Sequence, residues 1–444
     1  MFLSAEEAKA LTDKLLARSE ADGCEILLRG GEEQSLRFAR GSATTNMALS
    51  NFRARVASHV GGRVGAVETT SLDEAALLEA LERSEEIARL LPVDPDYVPP
   101  LGPQNYSHSR RYDASIADLR LGALAEKVAA VVEACSARNV LSFGCAASGR
   151  RFEAMATSNG LFAYDPSGEI ELSATARNKA DNWSGWAGAN ELAADALDAS
   201  EVGRRAANKA ARDEEPLDLD PGGHPVVFEP AATAELAYWL LNTLDARAAD
   251  EGRSYFSRKG GGARLGETLF DPKFSLRVDP GDALAPCGAL GFEGVPHRAR
   301  DFVAGGVVAD LWRSRAWAQK TGAEAVPHTG CFHVAGGATT LEEMIGSVKH
   351  GVLVTRLWYT NMLDPRSLLL TGLTRDGNFL IENGRVTRPV RNMRFNESLA
   401  TLFSKIEALG PSERVWNALR DGGASAAPPM LVERFAFTSR SSGI

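Results

Sequence analysis

Between His328 and His333 the chain reads His328-Thr329-Gly330-Cys331-Phe332-His333, its densest run of soft metal ligands. On an extended strand Cys331 and His333 share a face, which suits two ligands of one ion. A zinc site needs three or four converging His, Cys or carboxylate groups, and spacing names no third here. The same run also reads as a glycine loop entering a strand that carries isolated polar residues. Neither HExxH nor HExxxH occurs. There is no GxSxG turn, and Ser254, Ser257, Cys287 and Cys331 have no evident His–Asp set beside them. Gly260-Gly261-Gly262 follows Arg258-Lys259, but without GxxxxGK[ST] spacing it is a surface loop rather than a phosphate cradle.

Arginines and aromatics alternate along a second constellation. It runs Thr355-Arg356-Leu357-Trp358-Tyr359-Thr360-Asn361, with Leu373-Thr374-Arg375-Asp376-Gly377 after it. On strands this pattern offers stacking faces and guanidinium forks to an extended peptide paired with a strand edge. The candidate peptide contacts are Arg356, Trp358, Tyr359, Asn361, Thr374 and Arg375. Equally, Leu357 and Trp358 could face opposite core layers while the arginines pair with local acids.

The elements that must position these residues read as α+β. Ser4 and Glu7 frame a capping box before a helix. Short strands follow at 25–28, 35–39, 51–59 and 64–68, with Gly61-Gly62 as a turn, and a helix covers 71–91. This first portion, residues 1–91, is a helix–antiparallel sheet–helix unit. Pro92–Pro103 holds five prolines and reads as a linker. The middle portion, 104–212, is α/β: a helix at 116–138, strands at 140–147, 151–159 and 161–165, an alternating segment at 169–186, and a helix at 192–212. The third portion, 222–444, is a large, mostly antiparallel β-rich domain. A helix at 231–249 opens it, Asp376-Gly377 and Asn383-Gly384 are expected hairpin turns, and a last helix is expected at 398–409.

With 49 basic and 58 acidic residues the net charge is −9. That sign repels phosphate backbones and argues against a nucleic-acid partner. No window is apolar enough to span a bilayer, the first residues lack a signal-peptide pattern, and the five cysteines form no CxxC pair. The expected setting is the cytoplasm.

The stretches Gly351–Tyr359, Asp364-Pro365-Arg366, Leu370–Gly377, Phe379–Gly384 and Pro389–Ser398 resemble the TldD/PmbA peptidase family, historically called modulator of DNA gyrase. Further pieces in keeping are Gly252-Arg253-Ser254, Phe270-Asp271-Pro272, Glu293–Pro296, Leu341–Ile345 and Phe435–Ser439. The resemblance implies dimers enclosing a peptide-accessible chamber. In catalytic members it also implies an HExxxH motif on the first helix of the third portion, with a cysteine further on, holding zinc. This chain departs from that pattern. The nearest positions hold Tyr238, Trp239, Asn242 and Thr243, and no cysteine occurs in 413–437. Glu235 remains on the helix and is read as an exposed residue. The expectation is a PmbA-like chain with no cofactor of its own, zinc residing only in a catalytic partner. It would bind peptide or unfolded polypeptide and form a homodimer or a heterodimer with a TldD-type subunit. The alternative is a stand-alone peptidase using the His328/Cys331/His333 cluster or a hidden nucleophile.

Overall fold

The computed structural model describes residues 1–180, 182–416 and 424–441. Its fold is α+β with mostly antiparallel sheets, as the sequence pattern indicates. The capping box forms: Ser4 Oγ accepts from Glu7 N (3.2 Å) and Glu7 Oε2 from Ser4 N (2.8 Å), opening α1 (Ala5–Leu16). Strands β1 (Gly23–Ala39), β2 (Ser42–Val60) and β3 (Arg63–Thr69) follow, then α2 (Glu74–Leu90). After α3 (Leu121–Ala137) come β4 (Leu141–Thr157), β5 (Phe162–Arg177), β6 (Ser184–Glu191) and α4 (Ala199–Ala210).

These six strands make one sheet in the order β3-β2-β1-β4-β5-β6. β1 pairs continuously with β4, from Glu25 opposite Thr157 to Ala39 opposite Phe143, so segments before and after the proline-rich stretch share the sheet. The strands are longer than the sequence suggests. The expected breaks at 29–34 and at 148–150 are strand interior, bridged by Arg150–Glu32 (2.7 Å), Arg151–Glu33 (3.0 Å) and Arg151–Glu169 (2.8 Å). Opposite charges on neighbouring strands offset the poor strand propensity of these polar runs. One face carries the helices. Ile26 and Leu28 pack with α1 and α2, while Leu36 and Phe38 pack with α3 and α4. On the other face Leu27, Met155 and Ala163 meet Leu290. The proline-rich strap leads into a segment pinned across this seam by Tyr106 Oη to Gly294 O (2.6 Å) and Ser109 Oγ to Cys287 O (2.9 Å).

The rest of the chain forms β7 (Gly222–Phe228), α5 (Pro230–Thr243), α6 (Ala246–Asp250), β8 (Leu276–Val278), β9 (Arg300–Ala304), β10 (Val307–Val308), α7 (Arg315–Thr321), β11 (Phe332–Val334) and α8 (Leu341–Ser347). It continues with β12 (His350–Asp364), β13 (Leu369–Glu382), β14 (Arg385–Pro389), β15 (Met393–Ser398), α9 (Leu399–Phe403), β16 (Ile406–Leu409), β17 (Glu413–Val415), β18 (Ser425–Ala427) and β19 (Met430–Arg440). One sheet runs β10-β9-β8-β11-β18-β17 and the other β12-β7-β19-β15-β13-β14. In the latter, β12 also pairs with β13, which closes the path on itself. Helix α5 packs against β12, β11 and β18, between the two sheets.

Three expectations are corrected here. Asn383-Gly384 does turn β13 into β14, but Asp376-Gly377 lies inside β13. Its positive φ values (52° and 122°) serve a β-bulge opposite Val354–Arg356, because a bulge needs the same left-handed freedom as a tight turn. The helix expected over 231–249 stops at Thr243, and a second begins after Asp245, whose side chain caps it from Ala248 N (3.2 Å). The expected last helix ends at Phe403, and Ile406–Leu409 is strand because it pairs with β19.

Candidate functional site

Helix α5 is where catalytic members of the resembled family would hold their metal. Pro230 at its first turn has no N–H to satisfy and a φ already suited to the helix. Thr233, Ala234, Leu236, Ala237, Leu240 and Leu241 are all buried, since sheets lie on both sides. Tyr238 and Trp239 pack half-buried against the core. Asn242 Nδ2 donates to Tyr238 O (2.8 Å), which leaves its Oδ1 to accept from His328 Nε2 (2.9 Å). Thr243 Oγ1 donates to Leu240 O (2.7 Å). An indole, a phenol, an amide and a hydroxyl, two of them already bonded to their own helix, do not fit zinc.

The His328/Cys331/His333 run does not assemble into a centre. His328 is held by Asn242 and packs edge-on to Trp312 (5.4 Å), and Cys331 is buried. His333 Nδ1 bonds Asp282 Oδ2 (2.8 Å). Burial opposes the Asp282 charge, but the His333 bond and the N–H groups of Ala285 and Leu284 outweigh it and hold its pKa at about 2. Among the described residues, no group of three or more His, Cys, Asp or Glu side chains could hold a metal ion.

Glu235 is the correction on this helix: it is 7% exposed rather than solvated. Burial pushes its pKa up to about 7, against the opposing influence of Thr360, Trp239 and the Arg356 charge. Arg356 is itself at the heart of a buried ionic cluster. It pairs with Asp376, and its guanidinium lies between the rings of Trp186 (4.8 Å) and Trp358 (5.1 Å). Asp376 also accepts from Ser184 Oγ (2.6 Å). Beside it Lys209 Nζ bonds Glu229 Oε2 (2.6 Å) and Trp186 O (3.0 Å), and burial lowers the Lys209 pKa. Ser184, Trp186 and Lys209 come from β6 and α4. The cluster therefore ties the first sheet to the α5–β12–β13 region.

The six expected peptide contacts separate by depth. Arg356 is committed to Asp376, and Thr374 is buried with its Oγ1 accepting from Met393 N (2.9 Å). Trp358 and Arg375 are half-buried and stack at 5.3 Å. Tyr359 is 71% exposed, thrown outward by a positive φ of 51° where the β12–β13 register slips, and Asn361 is exposed beside it with its Nδ2 on Tyr359 O (2.9 Å). Sequence reasoning missed Ser184, Trp186, Lys209 and Glu229, whose partners lie far along the chain. Asp376, expected as a turn residue within the arginine–aromatic constellation, is the acid that pairs with Arg356. Residues 417–423, within the cysteine-free stretch 413–437, lie outside the described residues.

No helix among the described residues is long and apolar enough to cross a membrane. No curated protein matches the sequence. Solved structures do. The fold is similar to TldE from Thermococcus kodakarensis (TM-score 0.84, 18% identity, 98% of this chain and 100% of that one). A Thermotoga maritima protein described as a candidate modulator of a DNA gyrase also matches (0.82, 19%, 97% and 100%). So does one of like description from Bacteroides thetaiotaomicron (0.82, 21%, 97% and 98%). The family model described as PmbA/TldA metallopeptidase C-terminal domain matches residues 221–439. Through that domain, and with the whole chain sharing the fold, the protein belongs to the TldD/PmbA family.

Proposed function

We propose that this chain is a peptide-handling subunit of the TldD/PmbA family that does not itself perform zinc-dependent hydrolysis. The observation that carries the reading is the donor set on α5: Tyr238, Trp239, Asn242 and Thr243 supply neither imidazole nor thiolate. Metal-assisted hydrolysis needs an ion that lowers the pKa of a bound water, and a lone buried carboxylate such as Glu235 does not replace it. The peptide surface in this reading is the exposed part of β12 and β13, with Tyr359 and Asn361 outermost and Trp358 and Arg375 flanking them. Arg356 and Thr374 support that surface from beneath. Function then requires a second subunit, another copy of this chain or a zinc-bearing relative, in the cytoplasm. The chain shares its fold with TldE over nearly its whole length.

The test is metal analysis of the purified chain together with peptidase assays, alone and mixed with a zinc-bearing family member. The expected outcome is no stoichiometric zinc, no cleavage by the isolated chain, and peptide binding that weakens in Tyr359→Ala. One equivalent of tightly bound zinc, or hydrolysis by the isolated chain, would overturn the reading.

A further inference from the structure

Ile26, Leu28, Phe52 and Phe152 belong to the core under α1 and α2, so strand alternation turns Arg29, Arg53 and Arg151 to the opposite face of the first sheet. On that face Arg29 of β1 stands opposite Arg53 of β2 on one side and Glu153 of β4 on the other, with Asp165 of β5 beyond. The next row is Asn51, Gly31, Arg151 and Ser167, where Gly31 sets no side chain between its neighbours. Like charges directly opposite on neighbouring strands repel, and Arg29 beside Arg53 is such a pair.

Both arginines line a cavity of about 420 Å³, a volume that suits a small molecule. Its charged lining is Arg29, Arg53, Arg111 and Arg151 against Glu153 and Asp165, an excess of cations in a chain whose net charge is −9. Glu68, Glu33 and Glu169, which also bond these arginines, do not line it. Arg29 gives Nε and Nη2 to Glu153, leaving Nη1, and Arg53 gives Nη1 to Glu68, leaving Nε and Nη2. Both side chains are more than half exposed (55% and 60%). Exposed ion pairs are held weakly, so an incoming oxyanion can share these guanidinium groups. Guanidinium forks match carboxylate and phosphate oxygens two at a time, and Thr70 and Ser167 add hydroxyl groups to the lining. We propose that this cavity binds a small oxyanion of charge two, a phosphate monoester or a dicarboxylate, held across Arg29 and Arg53, with Arg111 and Arg151 completing the positive lining. No lining residue belongs to β12 or β13, so the site is separate from the peptide surface and does not rest on the subunit reading.

Calorimetric titration of the full chain tests it, with inorganic phosphate and succinate as separate probes at mildly alkaline pH and constant ionic strength. Saturable binding of one equivalent per chain is expected for at least one probe. Phosphate alone assigns the phosphate monoester class, and succinate alone the dicarboxylate. Arg29→Gln and Arg53→Gln should each weaken binding about tenfold or more, the loss of a charge-assisted hydrogen bond. Far-UV circular dichroism should not change, because both side chains are exposed. Arg18→Gln, at an exposed arginine outside the cavity, should leave the affinity as it is. No saturable binding of either probe overturns the site. So does binding that survives both cavity variants, or that falls as much in Arg18→Gln.

Discussion

Replacing Glu235 with glutamine should stabilise the protein at alkaline pH and leave it unchanged in acid. The carboxyl moves from its ordinary 4.5 to about 7 because it is buried on α5, and Thr360, Trp239 and Arg356 only partly compensate. Between those two values the folded state binds a proton that the unfolded state has released. Stability therefore falls as pH rises from 4.5 to about 7, and the deficit is complete above it. At about 1.4 kcal/mol per pH unit the deficit is about 3 kcal/mol. Glutamine keeps the shape and removes the charge. Urea unfolding of both proteins at pH 4.5 and well above pH 7 reads the effect directly. The curves should coincide in acid and diverge by up to about 3 kcal/mol in base. Parallel stability–pH curves would refute the argument that burial governs this group.

Four other outcomes follow from the geometry. Asp376→Ala leaves the Arg356 guanidinium buried and unpaired, and should cost about 3–5 kcal/mol in a denaturant melt. The folded pKa of Asp282, near 2, lies below its unfolded value, so its contribution is present above the unfolded value and lost as pH falls toward 2. Asp282→Asn should remove that acid-side loss, seen as a flatter stability curve at low pH. Gly377→Ala should destabilise by about 1–3 kcal/mol in thermal unfolding, since its φ is 122° and an added Cβ would lie 2.7 Å from Thr355 Oγ1. Asn242→Ala removes one hydrogen bond to His328 and no metal ligand, so elemental analysis of the variant is expected to show no stoichiometric zinc.

Local signals in the sequence were legible where one short segment decides the outcome. The Ser4–Glu7 box, the Gly61-Gly62 and Asn383-Gly384 turns and the strand-rich last portion all follow from nearby residues. Long strands were not, because Gly30-Gly31-Glu32-Glu33 and Gly149-Arg150-Arg151 look like loops until their cross-strand ion pairs are seen. Gly31 is required there, as a Cβ would sit 2.7 Å from Arg150 O. Glu235 was misread for a similar reason. Helical periodicity marks one apolar face, whereas α5 is enclosed by sheets on both sides, a fact that lives in the topology. At the site, the aromatic and arginine pattern on β12 was visible, but not that Arg356 would be captured by Asp376 and roofed by Trp186 from another sheet.

The β1–β4 pairing also fixes what a cut in the proline-rich strap would do. A protease acting between Pro92 and Pro103 severs one covalent connection and leaves fifteen ladder positions, from Glu25 to Ala39, still zipped to their partners. The two fragments would travel as one particle under native conditions and part only in denaturant. Nicked preparations would therefore pass unnoticed by size and show themselves only on a denaturing gel.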